Sequence, residues 1–232
     1  MDSANVLIEP VFALGPIVIT NTVVTTWVIM AAIALLSWLI SHRLRTEPGP
    51  LQTAIEGIVA TIEEAIVEVA PQYARNILPF IGSLWIFLVI ANLSGLIPGV
   101  HSPTRDLSAT AALAILVFLS THWFGIRILG LKRYLRHYLT PSPILLPFHL
   151  ISEVTRTVAL AVRLFGNMMS LEMAALLILL VAGFLAPVPI LMLHIIEALV
   201  QAYIFGMLAL IYVVGGIQSQ QHQQQEQGDL HA

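Results

Sequence analysis

Five stretches of this 232-residue chain stay apolar for long enough to cross a bilayer: about 22–40, 78–96, 107–126, 144–180 and 188–217. A bilayer core offers no water to the backbone, so a spanning segment must satisfy its own N–H and C=O groups. A run of about 20 apolar residues does so as an α-helix. Composition agrees, since 58% of the residues are hydrophobic and only 10% charged, where soluble domains carry about 25% charged residues. The fold class is an all-α polytopic membrane protein. The net charge of −3 says little about partners, because charge is confined to loops and to a few points inside apolar runs. With no cysteine, disulfide and thiol chemistry are excluded.

The first 20 residues are mixed, and Pro10 and Pro16 interrupt any helix there. They hold no Lys or Arg, so the basic start of a secretory signal is missing and the first span is expected to be retained. That span carries Trp27 and Trp38 and ends at Arg43, Arg45 and the breaker EPGP. Residues 51–70 differ in kind. Ile55, Ile58, Val59, Ile62, Ile66 and Val69 recur at helical spacing, with Glu56, Glu63 and Glu64 on other faces. This amphipathic helix either packs on protein or lies along the membrane surface. Its acidic face suits a second polypeptide better than anionic lipid.

The last two apolar runs overshoot the membrane. Residues 144–180, as continuous helix, would extend about 55 Å, and residues 188–217 about 45 Å, against a hydrocarbon core of about 30 Å. Such helices must tilt, kink or project. Gly183, Pro187 and Pro189 supply a turn between them, which predicts a long tilted antiparallel hairpin. Residues 1–217 thus form a single membrane domain, and the Gln-rich stretch 218–232 is expected to be a disordered polar tail. Lys and Arg fall at Arg43, Arg45 and Arg75 in one connection and at Arg127, Lys132, Arg133 and Arg136 in another. Only Arg105 lies in the 97–106 loop. The positive-inside rule then places the N-terminus outside and the C-terminus in the cytoplasm.

Within the fourth run sit Glu153, Arg156, Arg163 and Glu172. A charge at bilayer depth costs about 2.5–3.5 kcal/mol on insertion scales, so each needs a reason. Glu153 and Arg156 are three apart and could form a structural pair. Arg163 lies within about 20° of Arg156 around the helix but has no acid on its own face. Glu172, nine residues beyond Arg163, projects from the opposite side. It could pair with His194 or line a wet cavity. In the fifth run His194, Glu197 and Gln201 share a face. His194 and Glu197 have a metal-ligand spacing, but no second such set accompanies them, so no metal site is expected. No phosphate-binding loop, nucleophile elbow or nucleic-acid patch is present.

VRLFGNMMSLE at 162–172, followed by HIIEALVQAYIFGMLALIYV at 194–213, closely resembles subunit a of the F-type ATP synthases. The likeness extends through PLQTAIEGI at 50–58, ANLSGLIP at 91–98, PTRDLSAT at 103–110 and HLISEVTRT at 149–157. The resemblance implies that Arg163 is the essential arginine facing a rotating ring of c subunits. It implies that Glu172 and His194 line the ion path, that Gln201 is the amide close to that arginine, and that Asn167 is the Asn of the RLFGN motif. It also implies a b-type stator partner, translocated H+ or Na+, no cofactor, and a place in a bacterial inner membrane. The chain departs from the family at Thr155, Arg156 and Thr157, where many members have Ser-Arg-Pro or Ser-Lys-Pro. Without that proline a straighter helix is expected. Glu197 has no counterpart in the family pattern, although its place in the His194 to Gln201 line keeps it a candidate for the ion path. A stand-alone secondary ion transporter and an intramembrane metalloenzyme are the competing classes, and neither explains the paired RLFGN and QAYIF segments.

Overall fold

A computed structural model describes residues 10–14, 17–42, 49–97, 100, 102–130, 146–182 and 188–229. Among the described residues, two short strands, β1 (Pro10–Leu14) and β2 (Ile17–Thr20), precede six helices. These are α1 (Asn21–His42), α2 (Pro50–Val69), α3 (Ala74–Leu93), α4 (Leu107–Leu129), α5 (Leu146–Ala182) and α6 (Val188–Asp229). Single 3₁₀ turns at Ser94–Leu96 and Pro103–Arg105 join α3 to α4. All of these helices but α2 are long and apolar enough to cross a membrane.

The strands are an addition to the all-α expectation. Phe12, Ala13 and Leu14 pair antiparallel with Ile19, Val18 and Ile17, and the register slips once between Pro10 and Phe12. Proline is tolerated at a strand's first position, so the residue that forbids a helix is compatible with this hairpin. The span limits also move. α3 begins at Ala74 rather than 78 because Pro79 is accommodated inside it. Toward the C-terminus, backbone helix continues to Asp229, where a disordered tail from residue 218 was expected. Gln and Glu are good helix formers, and a helix already nucleated in the membrane extends into them at little cost. The turn residues Gly183 and Pro187, and most of the basic connection after α4, lie outside the described residues.

Small residues determine how the helices assemble. α6 buries Ala198, Ala202, Phe205, Ala209, Leu210, Val213, Val214 and Ile217 against α3 and α4. At two points on this face only glycine fits. A Cβ on Gly206 would stand 2.7 Å from the Trp85 ring of α3, and one on Gly216 would stand 2.7 Å from Thr121 Cγ2 of α4. Trp85 also stacks on Tyr203, with ring centroids 5.6 Å apart. Since lipid is as apolar as the helices, such close approach is what favours helix contact over lipid contact. α5 packs on α4 and α6 through a narrow strip of Leu160, Ala161, Leu164 and Met168. Much of the rest of its surface is exposed.

α2 packs on protein, against α3. Ile66 is fully buried, and Ile62 rests beside Gly82 of α3, where a Cβ would be 3.7 Å away. Glu56, Glu63, Glu64 and Glu68 remain exposed on its other faces. α1 is the most loosely held span, with only Thr22 and Ile29 buried. An apolar cleft of about 640 Å³ separates it from α3 and α4.

Candidate functional site

The polar groups of this membrane domain gather along α5, α6 and the loop between α3 and α4. The loop is fixed first. Asp106 caps α4 by accepting from the backbone N–H of Ser108 at 2.9 Å, a role for which Asp at an N-cap is well suited. The preceding 3₁₀ turn is tied down by buried hydroxyls. Ser102 donates to the Ala91 carbonyl at 2.8 Å and lies 2.7 Å from Thr104 Oγ1, which donates to Asn92 Oδ1 at 2.8 Å. Asn92 Nδ2 then donates to the Ala198 carbonyl of α6 at 3.0 Å. Asn92 and Thr104 are both fully buried. One amide thereby fastens the loop to α3 and α6 together.

That clamp aims Arg105 at α5, where its Nη1 donates to Glu172 Oε1 in an ion pair. The Arg105 side chain is only 9% exposed and the Glu172 side chain 25%, so the pair is substantially desolvated. Glu172 therefore takes Arg105, not His194, as its partner. His194 turns instead toward the 3₁₀ turn after α3, where a Cβ on Gly95 would lie 3.6 Å from its Nε2. The ring is buried, and Nε2 makes no hydrogen bond.

Among the described residues, one interhelical hydrogen bond crosses the middle of the α5–α6 interface. Asn167 Nδ2 donates to Gln201 Oε1 at 2.7 Å. Gln201 is almost wholly buried, and its Nε2 is a second buried nitrogen without a partner. Such orphaned groups, like His194 Nε2, mark places suited to a bound water. One turn before Asn167 on α5 stands Arg163, exposed and close to the midpoint of a 37-residue helix. Among the described residues no carboxylate lies within ion-pairing distance of it.

Nearer the start of α5, the expected pair of Glu153 and Arg156 does not form. Glu153 instead lies 3.4 Å from His122 Nε2 of α4, and the Arg156 guanidinium sits over the Tyr212 ring of α6, 5.8 Å from its centroid. Three residues of separation turn the two side chains toward different neighbouring helices, and each finds a partner there. Glu197 is half-buried on α6 and makes no described hydrogen bond or ion pair. No group of three His, Asp or Glu able to hold a metal occurs among the described residues.

The structure thus unites Asn167 with Gln201, and separates Arg163 from Glu172 and His194. Sequence reasoning missed Arg105 and His122, the two partners contributed by other elements. Arg105 carried a signal of its own, as the single basic residue in an otherwise uncharged stretch ahead of Asp106.

The chain is similar to proteins already known. The family model for the ATP synthase A chain matches residues 23–214. A protein of Pelobacter propionicus called ATP synthase subunit a 2 is 67% identical over 211 residues, covering 91% of this chain and 92% of the relative. ATP synthase subunit a of Legionella pneumophila (strain Philadelphia 1) is 55% identical over 219 residues, 94% of each chain. A subunit a 1 from Crocosphaera subtropica is 41% identical over 214 residues, 91% of each.

Proposed function

The chain belongs to the ATP synthase A chain family, and from that premise we propose that it forms the stationary wall of a rotary ion motor, with Arg163 as its central charge. It is a multi-pass membrane subunit of the F-type complex and not itself the catalytic part. The finer reading concerns how it couples ion flow to rotation. A ring of small partner subunits, each carrying a membrane carboxylate, would turn against the open face of α5. Each carboxylate crosses lipid neutralised by H+ or Na+, because an ionised one is too costly there. Beside Arg163 the opposite charge favours the ionised form, so the ion leaves on one side of the arginine and another binds on the far side.

Two access paths would connect those positions to opposite compartments. Glu172, His194, Asn167 and Gln201 support the first, since they join the α3–α4 loop to the middle of α5. With the N-terminus outside, that loop faces the outer compartment and the final helix ends in the cytoplasm. The basic residues Arg127, Lys132, Arg133 and Arg136 then fall inside. Glu153 and His122 lie toward the inner end, and Glu197 is a further candidate for the path. The acidic faces of α2 suit the stator partner, a b-type subunit.

The observation that carries the reading is the exposure of Arg163 at mid-membrane with no described carboxylate beside it. An arginine facing hydrocarbon is unfavourable, so a partner carboxylate outside this chain is its natural complement. Arg163→Ala is expected to abolish ATP-driven ion transport by the whole complex in vesicles while the complex still assembles. Normal transport by that variant would overturn the assignment. Glu172→Gln is expected to slow ion flow without abolishing it, and an unchanged rate would remove Glu172 from the path.

A further inference from the structure

We infer that Arg105 is a positioning residue for ion passage: a tethered counter-ion that competes with the transported cation for Glu172. The inference rests on the reading of Glu172 as part of the ion path and goes beyond it, by assigning a role to a residue on a different element.

Three observations combine. The first is the ion pair itself, between the nearly buried guanidinium of Arg105 and the carboxylate of Glu172. The second is how firmly Arg105 is placed. Its 3₁₀ turn is bound through Ser102, Thr104 and Asn92 to α3 and α6, and Asp106 next to it caps α4. The third is the neighbourhood. His194, with a buried Nε2 lacking a hydrogen bond, lies beside Gly95, and Gly95 in turn lies against Ser102 of the loop that carries Arg105.

A bare carboxylate in a partly desolvated path is a trap for any cation that reaches it. Opposite charges attract more strongly there than in water, and release would limit the flow. A guanidinium held on the carboxylate by its own loop removes the trap. The arriving cation displaces the guanidinium from the Glu172 oxygen and occupies its place. When the cation moves inward, Arg105 returns and resets the site. For a proton, an O–H bond forms on Glu172 as the guanidinium swings off, and the same bond breaks as it swings back. Arg105 is always charged and cannot itself carry the proton, which suits it to reset the site and not to relay through it.

The test uses the whole ATP synthase complex, carrying each variant, in vesicles whose interior faces the α3–α4 loop. ATP synthesis is measured while interior H+ and then Na+ are varied, which gives a maximal rate and a half-saturating ion concentration. Arg105→Gln keeps a polar side chain and removes the charge. It is expected to lower both the maximal rate and the half-saturating concentration by at least threefold, because the ion is bound more tightly and released more slowly. Arg105→Lys should return both to within twofold of the native values. A half-saturating concentration unmoved by Arg105→Gln, whatever the maximal rate, would overturn the proposal and leave Arg105 a scaffold residue. Glu172→Gln alone separates the two readings, since unchanged kinetics in that variant would fail the ion path itself. Should Arg105→Gln not assemble, the double variant with Glu172→Gln decides. Removing the repelling charge of the arginine should raise its rate at least threefold over Glu172→Gln alone, and no gain would overturn the proposal.

Discussion

α5 and α6 are alike in sequence and opposite in structure. Both are long, both read as apolar, and both carry polar residues at mid-length. Yet half of the most apolar stretch of α6 is buried inside this chain, and only 11% of that of α5 is, which makes α6 the core and α5 a flank. The cause is side-chain size. Ala198, Ala202, Gly206, Ala209 and Gly216 let α3 and α4 approach α6 closely, whereas α5 presents Val154, Val158, Val162, Leu176 and Leu177 outward. In lipid, apolarity does not decide which face is covered, but small residues do. The open side of α5, which carries Arg163, is the surface proposed to face the ring.

The contrast breaks most sharply at Gly206. A valine there would drive at least one carbon into the Trp85 ring, whose stack on Tyr203 leaves it little room to retreat. Overpacking of this kind costs about 1–3 kcal/mol or more. Gly206→Val is expected to lower the amount of the subunit in membranes severalfold, as read by immunoblot. Val158→Leu on the outer side of α5 should leave that amount unchanged, and an equal loss from both would show α5 to be as tightly packed as α6.

A smaller effect is expected at Asn92, which holds the α3–α4 loop to α6. Asn92→Ala removes the donor to the Ala198 carbonyl and the acceptor of Thr104, leaving buried polar groups unsatisfied at about 1–3 kcal/mol. The thermal midpoint of the purified complex should fall, and Asn92→Asp should not restore it, because a carboxylate cannot donate to that carbonyl.

Most of the helical order was legible in the sequence, because length and apolarity fix a membrane helix almost alone. What was not legible depends on contacts between distant elements. Glu153 and Arg156 look like an ion pair three residues apart, yet His122 and Tyr212 from two different helices claim them. Glu172 and His194 are both polar and both near the same hairpin, yet a loop residue 67 positions away takes the carboxylate. By contrast, Asn167 and Gln201, both singled out in the sequence, do meet across α5 and α6. Local spacing identified which residues carry charge, and packing decided whom each one meets.

The two arginines of α5 sharpen the comparison with the mildest change. Arg156 and Arg163 stand seven residues apart on nearly the same line, and both are exposed. Only Arg156 has an aromatic face beneath it, the Tyr212 ring on α6. A cation–π contact at an exposed site contributes about 0.5–1 kcal/mol. Arg156→Ala should therefore leave assembly intact and reduce ATP-driven ion transport by no more than about fivefold, the factor set by an energy of that size. Tyr212→Phe should match the native rate because the ring face is retained, while Tyr212→Leu should match Arg156→Ala. Loss of transport in Arg156→Ala as complete as that expected for Arg163→Ala would mean that the ring partner reads both charges. The open side of α5 would then be functional along two turns of helix and not at a single residue.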